Sequence, residues 1–248
     1  MQKLLSLVRR CAADYDMIRE GDRIAVGVSG GKDSLALLRL LAELKRFYPA
    51  AFSLTAITLD MGYETMDFSL VSALCERLNI PYVIRPTQIR EIVFDIRQEE
   101  NPCSLCAKLR RGILNEEAVR LGCNKVALGH HYDDAIETFA LSLIYEGRLS
   151  CFRPVTYLDR TGLTIIRPLL YLHEKTIANF ACRQQLPVVF NPCPADKDTK
   201  REEVKQLLYE MEGRYPGLKD HIFGGMQRST LPGWAPERNT ESQNSASE

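Results

Sequence analysis

The sequence has no excess of either charge, with 32 Lys and Arg against 32 Asp and Glu. A chain without a global field can hold a nucleic acid only through a local basic patch. It also lacks a run of eighteen apolar residues, since even LALLRLLAEL is cut by Arg39 and Glu43, so no membrane span is expected. A secretory pattern is missing as well. The apolar stretch Leu4 to Val8 is too short for a signal core and runs into Arg9 and Arg10, which makes a reducing cytoplasm the expected compartment. There is no internal repeat and no G-x-G-x-x-G. Nor is there a Walker A loop, because position 26 is Val where that motif needs Gly, and Lys32 is followed by Asp33.

What is present is ordinary for a folded protein: 248 residues, 45% hydrophobic and 26% charged. One large domain is expected over residues 1–235, with a polar, disordered tail at 236–248. Leu4, Leu7, Val8, Cys11 and Ala12 recur at helical spacing and predict a helix over residues 3–17. Short β-branched runs at 23–28, 53–59, 82–84 and 125–128 alternate with helical stretches at 35–47, 68–78 and 135–145. That alternation predicts an α/β fold, a doubly wound parallel sheet. Between the third and fourth strands, residues 85–122 form an insertion with a Cys pair and a helix over 104–121. Further helices are expected at 173–184 and 200–211, giving a helical C-terminal part.

Ser29-Gly30-Gly31-Lys32-Asp33-Ser34 joins the first strand to a helix. Adjacent glycines let the backbone approach an anion, and the helix start presents unpaired N–H groups to it. Lys32 at that position opposes the helix dipole unless an anion is present, so a polyphosphate site outweighs a merely capped turn. The segment SGGKDS after a strand resembles the signature of the PP-loop ATPases. That resemblance implies a Rossmann-like fold of the adenine nucleotide alpha hydrolase type, with ATP cleaved between its α and β phosphates. It further implies that Ser29, Gly30, Gly31, Lys32, Asp33 and Ser34 hold the pyrophosphate and that Asp60 lies beside the nucleotide. Gly129-His130-His131-Tyr132-Asp133-Asp134 matches the family's later motif. Asp133 and Asp134 are read either as carriers of Mg²⁺ or as N-caps of the next helix. His130 is read as a nucleotide contact or a structural histidine.

Eight cysteines in a reducing compartment suggest metal or redox ligands before disulfides. Cys103 and Cys106 form a C-x-x-C at a helix start, and Cys193 sits in the Pro-rigid Asn191-Pro192-Cys193-Pro194. Three thiolates can hold a cubane iron-sulfur cluster with one iron left open, or a zinc completed by His173 or Cys182. Cys11, Cys75, Cys123, Cys151 and Cys182 lie in or beside apolar periodic segments and are expected in the core.

SGGKDS, PCSLC followed by AKLRRGIL, LGHHYDD and NPC together resemble the tRNA 2-thiocytidine synthetase (TtcA-type) group of PP-loop enzymes, over about Arg10 to Gln227. The resemblance implies a 4Fe-4S cluster on Cys103, Cys106 and Cys193, ATP with Mg²⁺, and tRNA as substrate. Lys32, Asp134 and Arg110 become the expected catalytic residues, with Lys108, Arg110 and Arg111 facing RNA phosphates. Cys11 is the only cysteine in the first seventy residues, so the paired zinc knuckles of the related 2-thiouridine enzymes are missing. A sulfur donor such as a cysteine desulfurase is an expected partner, and a homodimer a candidate assembly. The alternatives are a lysidine-type PP-loop ligase with structural zinc and an inactive tRNA-binding protein.

Overall fold

The computed structural model describes residues 1–98, 102–194 and 200–237. Most of the expected polar tail, from residue 238, lies outside them. Six strands form one sheet in the order β3-β2-β1-β4-β6-β5. They are β1 (Asp22–Gly27), β2 (Phe52–Asp60), β3 (Tyr82–Pro86), β4 (Lys125–Ala127), β5 (Val155–Leu158) and β6 (Leu163–Ile166). All neighbours are parallel except β5, which runs antiparallel to β6. That hairpin departs from the all-parallel expectation because its short connection, with Gly162 at φ +68, can only turn the chain straight back.

The helices are α1 (Gln2–Asp14), α2 (Lys32–Leu44), α3 (Ser69–Arg77), α4 (Pro102–Arg120), α5 (Tyr132–Leu141), α6 (Glu174–Arg183), α7 (Lys200–Arg214) and α8 (Leu218–Arg228). The helix expected over 135–145 divides: α5 stops at Leu141 and a π-helical turn, Ser142–Glu146, closes on Gly147 at φ +63. No helix among the described residues is long and apolar enough to cross a membrane.

Along β1 alternate side chains enter opposite layers. Ile24 and Val26 join the large core under α1, α2, α5 and α6, while Ala25 joins a smaller one with Val126, Ile165 and Ala118 of α4. A strand covered on both faces reads as a continuous apolar run, which is why β1 is so legible. The C-terminal part is tied down by Trp234. It is fully buried, donates from Nε1 to the Phe152 carbonyl at 2.9 Å, and accepts at its own carbonyl from the Tyr15 hydroxyl. Cys11, Cys75 and Cys123 are buried as expected, Cys151 is half-buried, and Cys182 is exposed near the end of α6. Cys182 therefore departs from the core expectation: its side chain lies on the solvent side of an amphipathic helix whose Ile177, Phe180 and Ala181 face inward.

One buried ion pair closes the end of the sheet away from the first loop. Lys125 Nζ lies 2.7 Å from Asp22 Oδ2 and donates to the Met17 carbonyl at 2.9 Å, while Asn124 Nδ2 donates to Asp22 Oδ1. Burial raises the Asp22 carboxyl, but the Arg19 amide, Lys125 and Asn124 outweigh it and hold the group below the usual carboxylate range. Asp22→Ala leaves Lys125 buried without its counter-charge and is expected to cost about 3–5 kcal/mol in urea unfolding. In the wild type this contribution is present above about pH 4 and is lost as pH falls through the depressed value. Equal stability of variant and wild type at neutral pH would show the pair to be idle.

Candidate functional site

The first loop follows β1 and leads into α2, at the carboxyl ends of the strands where the sheet order reverses between β1 and β4. Its shape is fixed from within. Ser34 is buried, donates to the Gly31 carbonyl at 2.9 Å and accepts from the Ser29 amide at 3.1 Å. Below it, Thr58 donates to the Val28 carbonyl at 2.7 Å, rooting the loop on β2. Gly30 takes φ +84, and an added Cβ there would stand 2.9 Å from Val189 Cβ. Lys32 Nζ lies 3.0 Å from Asp33 Oδ2, and Asp33 Oδ1 is buried without a hydrogen-bond partner.

The second segment lies directly against the first. A Cβ on Gly129 would stand 3.1 Å from the Asp33 carbonyl carbon and the Ser34 amide nitrogen, so the two backbones are at contact. His131 caps α5 in a reciprocal box: the Asp134 amide donates to His131 Nδ1 at 3.4 Å, and the His131 amide donates to Asp134 Oδ2 at 2.9 Å. Asp133 points elsewhere. Its Oδ2 accepts from the Glu174 amide at 2.7 Å and its Oδ1 lies 3.2 Å from Lys219 Nζ, so it caps α6 and not its own helix. Burial, with Arg167 and Arg201 nearby, depresses the His130 imidazole to about 3. His130 is therefore neutral at physiological pH, packed at a tilt against Phe152 with ring centroids 4.9 Å apart, and its buried Nδ1 has no hydrogen-bond partner. Asp60 ends β2, and its Oδ1 accepts from the Gly62 amide at 2.9 Å, shaping the next loop.

The cysteines come together at this end of the molecule. Cys106 is pushed up by burial, drawn down by Arg110, which hydrogen-bonds it, and raised again by the nearby Cys193 and Cys103 thiols. Tyr63, on the loop after Asp60, is raised by burial and then by Cys193 and Cys106, and its sealed hydroxyl has no partner of regular geometry. Among the described residues, no three His, Cys, Asp or Glu side chains close tightly enough to hold a single metal ion. Neither His173, stacked on Tyr132 at 4.1 Å, nor Cys182 completes such a group with the thiols. The segment carrying Cys193 is stitched to the first loop, because the Val189 amide donates to the Gly30 carbonyl at 3.0 Å.

The PP-loop domain family matches residues 2–212. The chain belongs to the PP-loop family. Among curated relatives it is 43% identical over 225 residues to the tRNA-cytidine(32) 2-sulfurtransferase of Pelobacter propionicus, covering 90% of this chain and 84% of that protein. It is 39% identical to the enzyme of the same name from Geobacter sulfurreducens, over 90% of this chain and 88% of the relative. The U34-tRNA thiolase NcsA from Methanococcus maripaludis, solved with its [4Fe-4S] cluster, superposes at a TM-score of 0.74 with 27% identity, over 92% and 77% of the two chains.

Three groups beside the PP-loop carry no motif and were not foreseen. Glu174, at the start of α6, lies 3.1 Å from Lys32 Nζ. Arg201 on α7 reaches Asp134 at 3.2 Å, Glu137 at 3.4 Å and the Thr138 hydroxyl at 3.1 Å. Burial raises Glu137 to about 7 against the pull of Arg201. The only available signal was their place at predicted helix starts. At the PP-loop's second half, Gly129→Ala drives a methyl against the Asp33–Ser34 backbone, which must give way for it. It is expected to cost about 1–3 kcal/mol of stability and to cut ATP turnover at least tenfold. Thermal melting and AMP release measure the two, and a variant with wild-type turnover would show that the backbone contact is dispensable.

Proposed function

We propose that the chain is an ATP-dependent tRNA-cytidine 2-sulfurtransferase, with cytidine 32, which its relatives' names carry, as the target. The observation supporting this most directly is the Val189–Gly30 hydrogen bond, which joins the phosphate loop to the segment bearing Cys193. Activation and sulfur transfer need one cleft, since a carbonyl oxygen leaves only after it becomes a phosphoester. The cytidine C2 oxygen attacks the α-phosphorus of ATP, pyrophosphate departs, hydrosulfide adds at C2, and AMP leaves with the oxygen while the thiol proton is lost, with no net redox change. Lys32 and the Gly30–Gly31 backbone stabilise the charge growing on pyrophosphate. The buried, unpartnered Asp33 Oδ1 suits a Mg²⁺ on the phosphates better than Asp133, which is committed to α6 and Lys219. Asp134 orients the loop through His131 and Arg201, and Arg110 stands over Cys106.

The residues present fit a 4Fe-4S cluster on Cys103, Cys106 and Cys193. The donor set is thiols, with Cys106 near both Cys103 and Cys193, and the buried Tyr63 hydroxyl faces Cys193, where it can donate to a metal-bound thiolate. A cubane also spreads its anchors more widely than a single zinc, which sits about 2.3 Å from each sulfur. When bound, such a cluster supplies an iron without a protein ligand, at which sulfur can be held. Exposed Lys108, Arg110 and Arg111 on α4 present cations beside the thiols for RNA phosphates. This chemistry calls for a reducing cytoplasm and a sulfur donor of the cysteine desulfurase kind.

Lys32→Ala is expected to reduce tRNA-stimulated conversion of ATP to AMP by about 10²-fold or more. Cys193→Ala should lose visible absorbance, iron and 2-thiocytidine together while melting near the wild type, whereas Cys75→Ala should change stability alone. Nucleoside mass spectrometry and anaerobic iron and sulfide analysis check both. Stoichiometric zinc without iron would favour the lysidine-type ligase with structural zinc, and the absence of any AMP formation would favour a tRNA-binding protein.

A further inference from the structure

Glu174 is an acidic side chain bridged to the phosphate loop, and neither the motif nor the chemistry above accounts for it. Its carboxylate is shared by two ammonium groups: Oε1 lies 3.1 Å from Lys32 Nζ, and Oε2 lies 3.0 Å from Lys205 Nζ of α7. Its own backbone is pinned, because the Glu174 amide donates to Asp133 Oδ2 at 2.7 Å. Burial works against its charge, yet the two lysines hold the carboxyl at about 2. Lys205 is carried to this place by α7, whose Arg201 is bound to Asp134, Glu137 and Thr138 of α5.

Two lysines on the two oxygens of one anion make the pattern with which proteins grip a phosphoanhydride, in which each charged oxygen takes its own charge-assisted donor. One of these lysines belongs to the phosphate loop. The other is 173 positions away in sequence and reaches the same anion position from a different helix. Lysine suits such a task because it is a compact point charge on a flexible stem that can follow a moving phosphate. Both ammoniums remain partly exposed, so they can exchange one anion for another without unpacking the core.

We propose that Lys205 is a second polyphosphate-binding lysine, outside the loop motif, and that Glu174 competes with the polyphosphate for Lys205 and Lys32. The carboxylate keeps the two cations gathered, and a pyrophosphate group with higher charge takes them over. The opposite signs of the two substitutions separate this from a purely structural bridge between α6 and α7. Removing Lys205 removes a ligand contact, whereas neutralising Glu174 removes a rival anion.

The test is calorimetric titration of the full chain with magnesium pyrophosphate and with an α,β-methylene ATP analogue. Lys205→Met is expected to weaken both ligands about tenfold, equivalent to about 1.4 kcal/mol, and Lys205→Arg to recover most of the loss. Glu174→Gln keeps the backbone contact with Asp133 and is expected to tighten pyrophosphate binding severalfold. Unchanged affinity in Lys205→Met overturns the assignment of that lysine. Weaker or equal binding in Glu174→Gln overturns the competition, since a bridge that only fastens the helices loses affinity when it is cut. The inference rests on ATP use by the loop. A wild type that binds neither ligand overturns both, whereas binding that is blind to the two substitutions removes only the proposal.

Discussion

A single backbone hydrogen bond, from the Val189 amide to the Gly30 carbonyl, holds the two chemical halves of this molecule together. Gly30 adopts φ +84 at this contact, and Val189 packs directly against it. Any Cβ at Gly30 meets Val189 at 2.9 Å and suffers the left-handed backbone as well, so glycine is demanded twice over. Four residues beyond Val189 comes Cys193. The segment that carries Cys193 is thus fastened to the phosphate loop itself.

The charges around the loop follow from the same crowding. Lys32 is partly buried, which opposes its charge, but Asp33 and Glu174 outweigh that penalty and keep the ammonium above the usual lysine range. Asp133 has been drawn away to cap α6, and Asp134 is occupied by His131 and Arg201. What remains is one buried carboxylate oxygen, Asp33 Oδ1, with no hydrogen-bond partner and with His131 Nε2 3.8 Å away. Buried polar atoms are rarely left alone without a reason, and one beside an anion site is suited to a cation that arrives with the anion.

Much of this was legible in the sequence. β1 and the loop after it stand out because the doubly covered run Ile24-Ala25-Val26 is continuously apolar and the loop's glycines are adjacent. The later Gly129–Asp134 segment was identifiable from its motif, and the structure lays it against the first loop. The hairpin of β5 and β6 was hidden by its four-residue strands, too short to show a period. Glu174, Arg201 and Lys205 could not be read either: their roles come from the packing of α6 and α7 on α2 and α5, and a lone charged residue at a helix start looks like a cap. The division of labour between Asp133 and Asp134 was equally invisible. Two neighbouring carboxylates on a helix point about 100° apart, and only the fold decides which one faces the loop.

The inserted helix α4 shows how an insertion can serve packing and chemistry at once. Its later half supplies Leu114 and Ala118 to the smaller core, and Leu114 approaches so closely that a Cβ on Gly27 would stand 3.0 Å from it. Its first half carries Cys103, Cys106 and Arg110. A helix is stiff over these few turns, so the Leu114 contact at Gly27 and the Cys106 position belong to one rigid element. The end of β1 therefore touches both segments: Gly27 packs against the helix that carries Cys103 and Cys106, and Gly30, three residues later, bonds the segment that carries Cys193.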